Sequence, residues 1–309
     1  MNAPSEVRVR IAGVTIAVAG LTDGWVWTDR GRFQSLVSDD QPDVVVRLHV
    51  GHAAAGVPAG DLVRSLEGLR NVYLAEKTWT FEFCPYDREI YPQRPPHQAV
   101  VFNRCFTAGD LYLSIDTGSE QPTFSFGLFL PELLTGMLPL RGGMMIHAGG
   151  ISDDGRGIVF AGPSGAGKST MAGLWKGHAG VRVLNDDRII LRRHGRRWWA
   201  YPVPGVGEPR QGSPEGVELE AGLVLSHAGE NAAERLDPAQ GASSLLPHIS
   251  LPSYDAVAVS STLRLLDELV NEVPIYGLGF LPDHAVVSLV RDVVRQPDAV
   301  ERARSEGMT

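Results

Sequence analysis

Apolar and polar positions alternate through the first part of the chain in four short runs, Val7–Ile11, Val44–Val50, Trp79–Phe83 and Leu111–Ile115. Period-two alternation is the mark of a strand with one face toward a core, so each run predicts a β-strand. Clusters of Gly, Asp and Pro separate them, as in Tyr91–Pro96. Near Phe126 the period lengthens: Leu128, Leu130, Leu133, Leu134, Met137 and Leu138 suit a helix entered at Pro131 and closed before Arg141-Gly142-Gly143. Residues 1–140 therefore read as a β-rich domain, possible seat of substrate or partner recognition, and 141–309 as a second domain.

In the second domain strands and helices alternate. Met144–His147 reads as a short buried strand, Asp153-Asp154-Gly155 as a turn, and Gly157–Ala161 as a strand that leads into a glycine-rich loop. A helix-like stretch follows from Thr170, carrying Met171, Leu174 and Trp175, and Val181–Leu184 is the next strand. Ile189–Arg193 and Arg196–Tyr201 flank His194-Gly195 as a hairpin, and Pro202–Gly216, rich in Pro and Gly, reads as a functional loop or lid. Leu219–Leu225 predicts a strand, and Pro238–Pro247, Asp255–Glu272 and Asp283–Arg295 predict helices, the last after Ile275–Leu278. The class is α/β (α+β).

The loop itself is Gly162-Pro163-Ser164-Gly165-Ala166-Gly167-Lys168-Ser169, with Thr170 opening the helix. In the pattern G-x-x-x-x-G-K-[ST] the glycines permit a tight turn whose N–H groups face phosphate oxygens. Lysine adds a point charge, and the terminal hydroxyl takes Mg²⁺. Nucleotide binding follows. The next strand ends in Asn185-Asp186-Asp187-Arg188, and two carboxylates there are placed to meet the metal on Ser169 or to take a proton from a hydroxyl acceptor. Neighbouring side chains on an extended strand point to opposite faces, so the two aspartates divide these tasks in an order the sequence leaves open. His147 is balanced between a packed strand-end histidine and a group that tunes the base. His49, His97, His178, His194, His227, His248 and His284 read as ordinary histidines at turns or element ends.

Composition narrows the partners. With 28 Lys+Arg against 36 Asp+Glu, the net charge of -8 offers no general attraction to nucleic acid or an anionic membrane. The arginines around His194 alternate with apolar residues and read as a solvated strand face rather than a nucleic-acid patch. No apolar stretch approaches the roughly 18 residues that span a bilayer, and the N-terminus lacks the order of a signal peptide. Two cysteines, Cys84 and Cys105, have neither zinc-site nor redox spacing, so a cytoplasmic setting is expected.

Three stretches together resemble the catalytic domain of HPr kinase/phosphorylase, which shares its fold with phosphoenolpyruvate carboxykinases: Ile146–Gly150, Ile158–Thr170 and Val183–Arg188. The resemblance covers Met144–Arg193, with a looser pattern to Leu289. It extends to HPr-kinase-like proteins of biosynthetic clusters, in which a Gly/Pro-rich segment follows the aspartate pair, here Pro204–Arg210. The family's Arg-Gly-Leu-Gly-Ile-Ile-Asp signature is not found, and the N-terminal half shows no match to that family's N-terminal domain. The resemblance implies that His147 lies beside the catalytic aspartate and that Lys168 contacts the outer phosphates. Ser169, Asp187 and Glu208 form the implied metal set, with Asp186 and Asp187 both candidates for the base. The expected activity is Mg²⁺- and ATP-dependent phosphoryl transfer to a hydroxyl, on Ser or Thr of a peptide or protein or on a small molecule. Two alternatives remain: a non-catalytic nucleotide-binding accessory protein and a small carboxykinase-like enzyme. Homo-oligomerisation is left open.

Overall fold

The computed structural model describes residues 5–22, 25–50, 61–66, 70–75, 77–83, 98–113, 123–209 and 212–295. Cys84, the Tyr91–Pro96 cluster, His97, the end of the run to Ile115, and Arg210 lie outside them. The chain divides into two units, Met1–Met137 with Pro252–Ala256, and Leu138–Leu251 with Val257–Thr309. Among the described residues no helix is long and apolar enough to cross a membrane.

The first unit is built on an eight-stranded sheet. Its strands are β1 (Glu6–Ile11), β2 (Val14–Ala19), β4 (Val44–Val50), β5 (Asp61–Leu66), β6 (Arg70–Ala75), β7 (Thr78–Phe83), β8 (Gln98–Asn103) and β9 (Ala108–Leu113). They lie in the order β1-β2-β4-β9-β8-β7-β6-β5. Pairing is antiparallel except for β2 with β4 and β4 with β9. The alternation that predicted strands is the burial pattern itself: in β4, Val44, Val46 and Leu48 are buried and Arg47 is exposed. Two short strands, β3 (Val26–Trp27) and β10 (Thr123–Phe124), pair with each other, and the helices are α1 (Arg30–Phe33) and α2 (Leu130–Met137). Asp29, almost fully buried, joins these pieces by accepting from Trp27 Nε1 (2.6 Å), Ser125 Oγ (2.6 Å) and Gly127 N (3.0 Å).

The second unit carries the glycine-rich loop. Its strands are β11 (Gly143–Ile146), β12 (Ala148–Asp153), β13 (Arg156–Ala161), β14 (Val181–Asn185), β15 (Ile189–His194), β16 (Arg197–Pro202), β17 (Val217–His227), β18 (Ala232–Arg235) and β19 (Ile275–Phe280). Its helices are α3 (Lys168–Trp175), α4 (Pro238–Leu245), α5 (Ala256–Glu272) and α6 (Ala285–Arg295). The sheet runs β11-β15-β16-β17-β13-β12-β14, and β19 joins it by pairing with both β17 and β18. β17 is its spine, parallel to β13 and to β19.

Ile158 and Phe160 of β13 pack into one apolar cluster with Met171 and Trp175, whereas Val159 and Ala161 pack into another with Leu265 and Leu269. A strand buried on both faces reads as a continuous apolar run, which is how Gly157–Ala161 reads. Between the predicted strand Met144–His147 and the predicted turn at Asp153, the structure adds a strand: Ala148–Asp153 is β12, paired with β13 on one side and β14 on the other. The absent side chains have a use: a Cβ on Gly149 would stand 2.1 Å from Phe160 Cε2, and one on Gly150 2.8 Å from Ile189 Cδ1. Aromatic and aliphatic neighbours fill the space that side chains of β12 would take.

Candidate phosphate site

β13 ends at Ala161 and α3 begins at Lys168, so the loop Gly162–Gly167 joins a buried strand to a helix N-terminus. Gly167, the residue before α3, holds φ at 96° in the left-handed region that glycine enters without penalty. Its missing side chain also admits Phe280, whose ring would lie 2.7 Å from a Cβ there. His227, at the end of β17, caps the loop from outside by a 2.9 Å contact from Nε2 to the Gly165 carbonyl. The first turn of α3 has backbone N–H groups without intrahelical partners and a positive dipole end, the arrangement that receives an anion.

Lys168 is 8% exposed, and its ammonium donates to the carbonyls of Gly162 (2.9 Å) and Pro163 (3.3 Å). An ammonium has three donors, so the loop's own carbonyls occupy two and leave one for a ligand. Burial lowers the Lys168 pKa, opposed by the charge of Asp187. The lysine is thus tied to the loop's carbonyls, with Asp187 as its acidic counter-charge.

The aspartate pair is split. Asn185, fully buried at the end of β14, accepts at Oδ1 from the backbone N–H of Asp187 (2.8 Å) and of Arg188 (2.9 Å), turning the chain sharply. Asp187 then faces His147, with Nδ1 to Oδ1 at 3.7 Å, and Arg188, with Nε to Oδ2 at 3.6 Å. Both distances exceed a hydrogen bond; the Arg188 contact suits charge–charge attraction, and the His147 contact does so when the imidazole is protonated. Asp186 turns the other way, where its Oδ1 accepts from Glu208 N at 2.6 Å. On that side a cavity of about 360 Å³ is lined by Ser169, Lys176, Val183, Asp186, Glu208 and Pro209.

The residues grouped from the sequence therefore fall into two sets. Lys168, Asp187 and His147 share electrostatic contact, and Ser169, Asp186 and Glu208 share the cavity. Of the proposed metal set, Ser169 and Glu208 stand together with Asp186, while Asp187 lies with the lysine. Pro163, Ser164, Gly165, Ser169 and Thr170 are exposed, and Gly162 and Ala166 are packed against Leu225 and each other.

Two residues of the site had no distinguishing sequence signal. His248 belongs to the segment Leu246–His248 after α4, and its carbonyl accepts from His147 N at 2.8 Å. Ser250 N donates to Met145 O at 2.8 Å, so this segment runs along β11 and carries His248 to the site. Burial, Lys168 and His147 together lower the His248 pKa, and burial followed by Lys168 lowers that of His147 against the pull of Asp187. Asn185 stands in the motif beside the aspartates, but its bonds to both sides of the turn are not readable from spacing.

An Mg²⁺-nucleotide fits these donors. A hydroxyl and carboxylates are hard oxygen ligands, suited to a metal that keeps waters and phosphate oxygens in its shell. Among the described residues no three or more His, Cys, Asp or Glu side chains are gathered as a complete metal site, so phosphate and water would have to complete the shell. In the first unit a cavity of about 980 Å³ is lined by Trp25, Trp27, Val37 and Phe124 beside Arg8 and Arg30, with more apolar than polar wall.

No protein-family model and no curated protein matches the chain. One solved structure it is similar to is the HPr(Ser) kinase/phosphatase from Coxiella burnetii, at 14% identity and a TM-score of 0.28. That match covers 52% of this chain and 98% of the other. At that score no common fold is defined, and the functional reading rests on the geometry of the loop and the split aspartates.

Proposed function

We propose that the protein is an ATP-dependent kinase that transfers the γ-phosphoryl group to a hydroxyl acceptor, either Ser or Thr of a peptide or protein or a small-molecule alcohol. The carrying observation is that Asp186 and Asp187, adjacent just beyond a lysine-bearing phosphate loop, meet different partners, Glu208 N for the first and His147 with Arg188 for the second. Such a division suits a reaction that needs both a metal ligand and a base. The amides of the loop and α3 receive the phosphates, and the third donor of Lys168 reaches an outer phosphate oxygen. Ser169 and Asp186, with Glu208 beside them, would hold Mg²⁺, which when bound offsets charge on the phosphate oxygens. Asp187 takes the proton of the acceptor hydroxyl as the new O–P bond forms and the bond from the γ-phosphorus to the bridging oxygen breaks, leaving ADP. His147 and Arg188 hold the Asp187 carboxylate from either side.

The test is transfer of label from γ-labelled ATP to a panel of Ser/Thr peptides and small alcohols with Mg²⁺. The wild type should label one acceptor class, and Asp187→Asn should lower the rate by about 10²–10⁴-fold while nucleotide still binds. Full-rate transfer by Asp187→Asn would remove it from the chemistry. Nucleotide binding by the wild type with no acceptor labelled would favour an accessory role instead.

A further inference from the structure

The side chain of Asn185 uses both ends. Oδ1 accepts from Asp187 N and Arg188 N, while Nδ2 donates to Val206 O (2.8 Å) and Val203 O (3.4 Å). It is completely buried. One amide thus ties the aspartate turn to the segment Val203–Glu208 that passes over it. The segment touches the turn twice more: Glu208 N donates to Asp186 Oδ1, and Gly207 packs so closely that a Cβ would stand 2.5 Å from Asn185 Oδ1, 2.7 Å from Asp186 Oδ1 and 2.7 Å from Asp187 Cβ. Gly207 has φ at 60°, so both its backbone and its lack of a side chain suit this seat.

We infer that Asn185 is a positioning residue for the metal side of the site, acting through the Val203–Glu208 segment. By fixing Val206 it sets Glu208 N–H on one oxygen of Asp186, which orients the carboxylate and leaves its other oxygen toward the cavity shared with Ser169. By holding the N–H groups of Asp187 and Arg188 it keeps Asp187 from swinging to the same side. The inference rests on the proposed Mg²⁺-nucleotide function, but its structural half can be tested without any nucleotide. A group that orients a metal-binding carboxylate is worth about 10–100-fold in metal affinity.

Two variants separate positioning from mere folding. Asn185→Ala removes all four bonds, and because it leaves buried groups unpaired it can lower stability. Gly207→Ala instead pushes the segment off its seat from the segment's own side, at a half-buried position where the new Cβ meets Asn185, Asp186 and Asp187. Amide exchange at Glu208, measured on the full chain without ligand, should speed up at least about tenfold in each folded variant, a change that reports the lost seat. Affinity for ATP without metal should stay as in the wild type, and the tightening caused by Mg²⁺ should fall by about 10–100-fold. Unchanged Glu208 exchange in Gly207→Ala would overturn the inference whatever the protein's function. Faster exchange with an unaltered Mg²⁺ response would overturn the positioning role. If the wild type binds no nucleotide but Glu208 exchange responds as expected, the proposed kinase function has failed and Asn185 is only a structural tie.

Discussion

The two histidines at the site are each set by a small number of neighbours. His147 has a depressed pKa because burial and the Lys168 charge disfavour its protonated form more than Asp187 favours it. His248 is depressed by burial, Lys168 and His147, and His194, elsewhere in the unit, by burial and Arg192. The unfolded chain takes up protons at these histidines around the ordinary value of 6.5, before the folded protein does. Their effect on stability is therefore absent above that value and becomes a loss as pH falls through it toward the depressed folded values. Thermal unfolding should show a midpoint that drops between about pH 7 and pH 5, with a shallower drop in His248→Gln. A midpoint unchanged by the substitution across that window would remove His248 from this coupling. Lys168, Ser169 and the aspartates were legible because their spacing is tied to one loop and one strand end. His248 was not, because a hundred residues separate it from His147 and only the pairing along β11 brings them together.

Among the elements, β12 makes the sharpest demand on sequence. Its glycines leave room for Phe160 and Ile189, so the strand is specified by what it lacks. Gly149→Ala should destabilise the protein by about 1–3 kcal/mol through overpacking against Phe160, read by denaturant unfolding. An unchanged midpoint would show that the ring moves aside without cost. By contrast β7 and the start of β15 are buried on both faces and were readable from their apolar and aromatic content, while β4 was readable from alternation, because one face of its pattern coincides with burial. Helices α5 and α6 were readable for the same reason, with Leu265, Leu266, Leu269 and Val286, Val290, Val293 on their buried faces.

At the scale of the whole molecule, the two units are not two continuous stretches of chain. Pro252–Ala256 groups with the first unit, where Tyr254 packs edge-on against Trp79 and Phe81. A boundary read at residues 140/141 does not anticipate this segment, since nothing local in Pro252-Ser253-Tyr254 marks a distant partner. The Tyr254 hydroxyl is buried with no hydrogen-bond partner among the described residues, and burial, then Glu132, pushes its pKa up. Tyr254→Phe should consequently be neutral or stabilising by up to about 1 kcal/mol, while Tyr254→Ala should cost about 3 kcal/mol by emptying the aromatic contact. Equal effects of the two substitutions on the unfolding midpoint would show that the ring contributes little.

The roles proposed for the loop, its lysine and the two aspartates all presuppose a nucleotide, so the most direct measurement is a calorimetric titration of the full chain with ATP in the presence of Mg²⁺. The wild type is expected to bind one nucleotide per chain, Asp187→Asn to bind it equally well, and Lys168→Ala to bind at least about tenfold more weakly. No binding by the wild type, or equal binding by Lys168→Ala, would contradict the assignment of Gly162–Ser169 as a phosphate site.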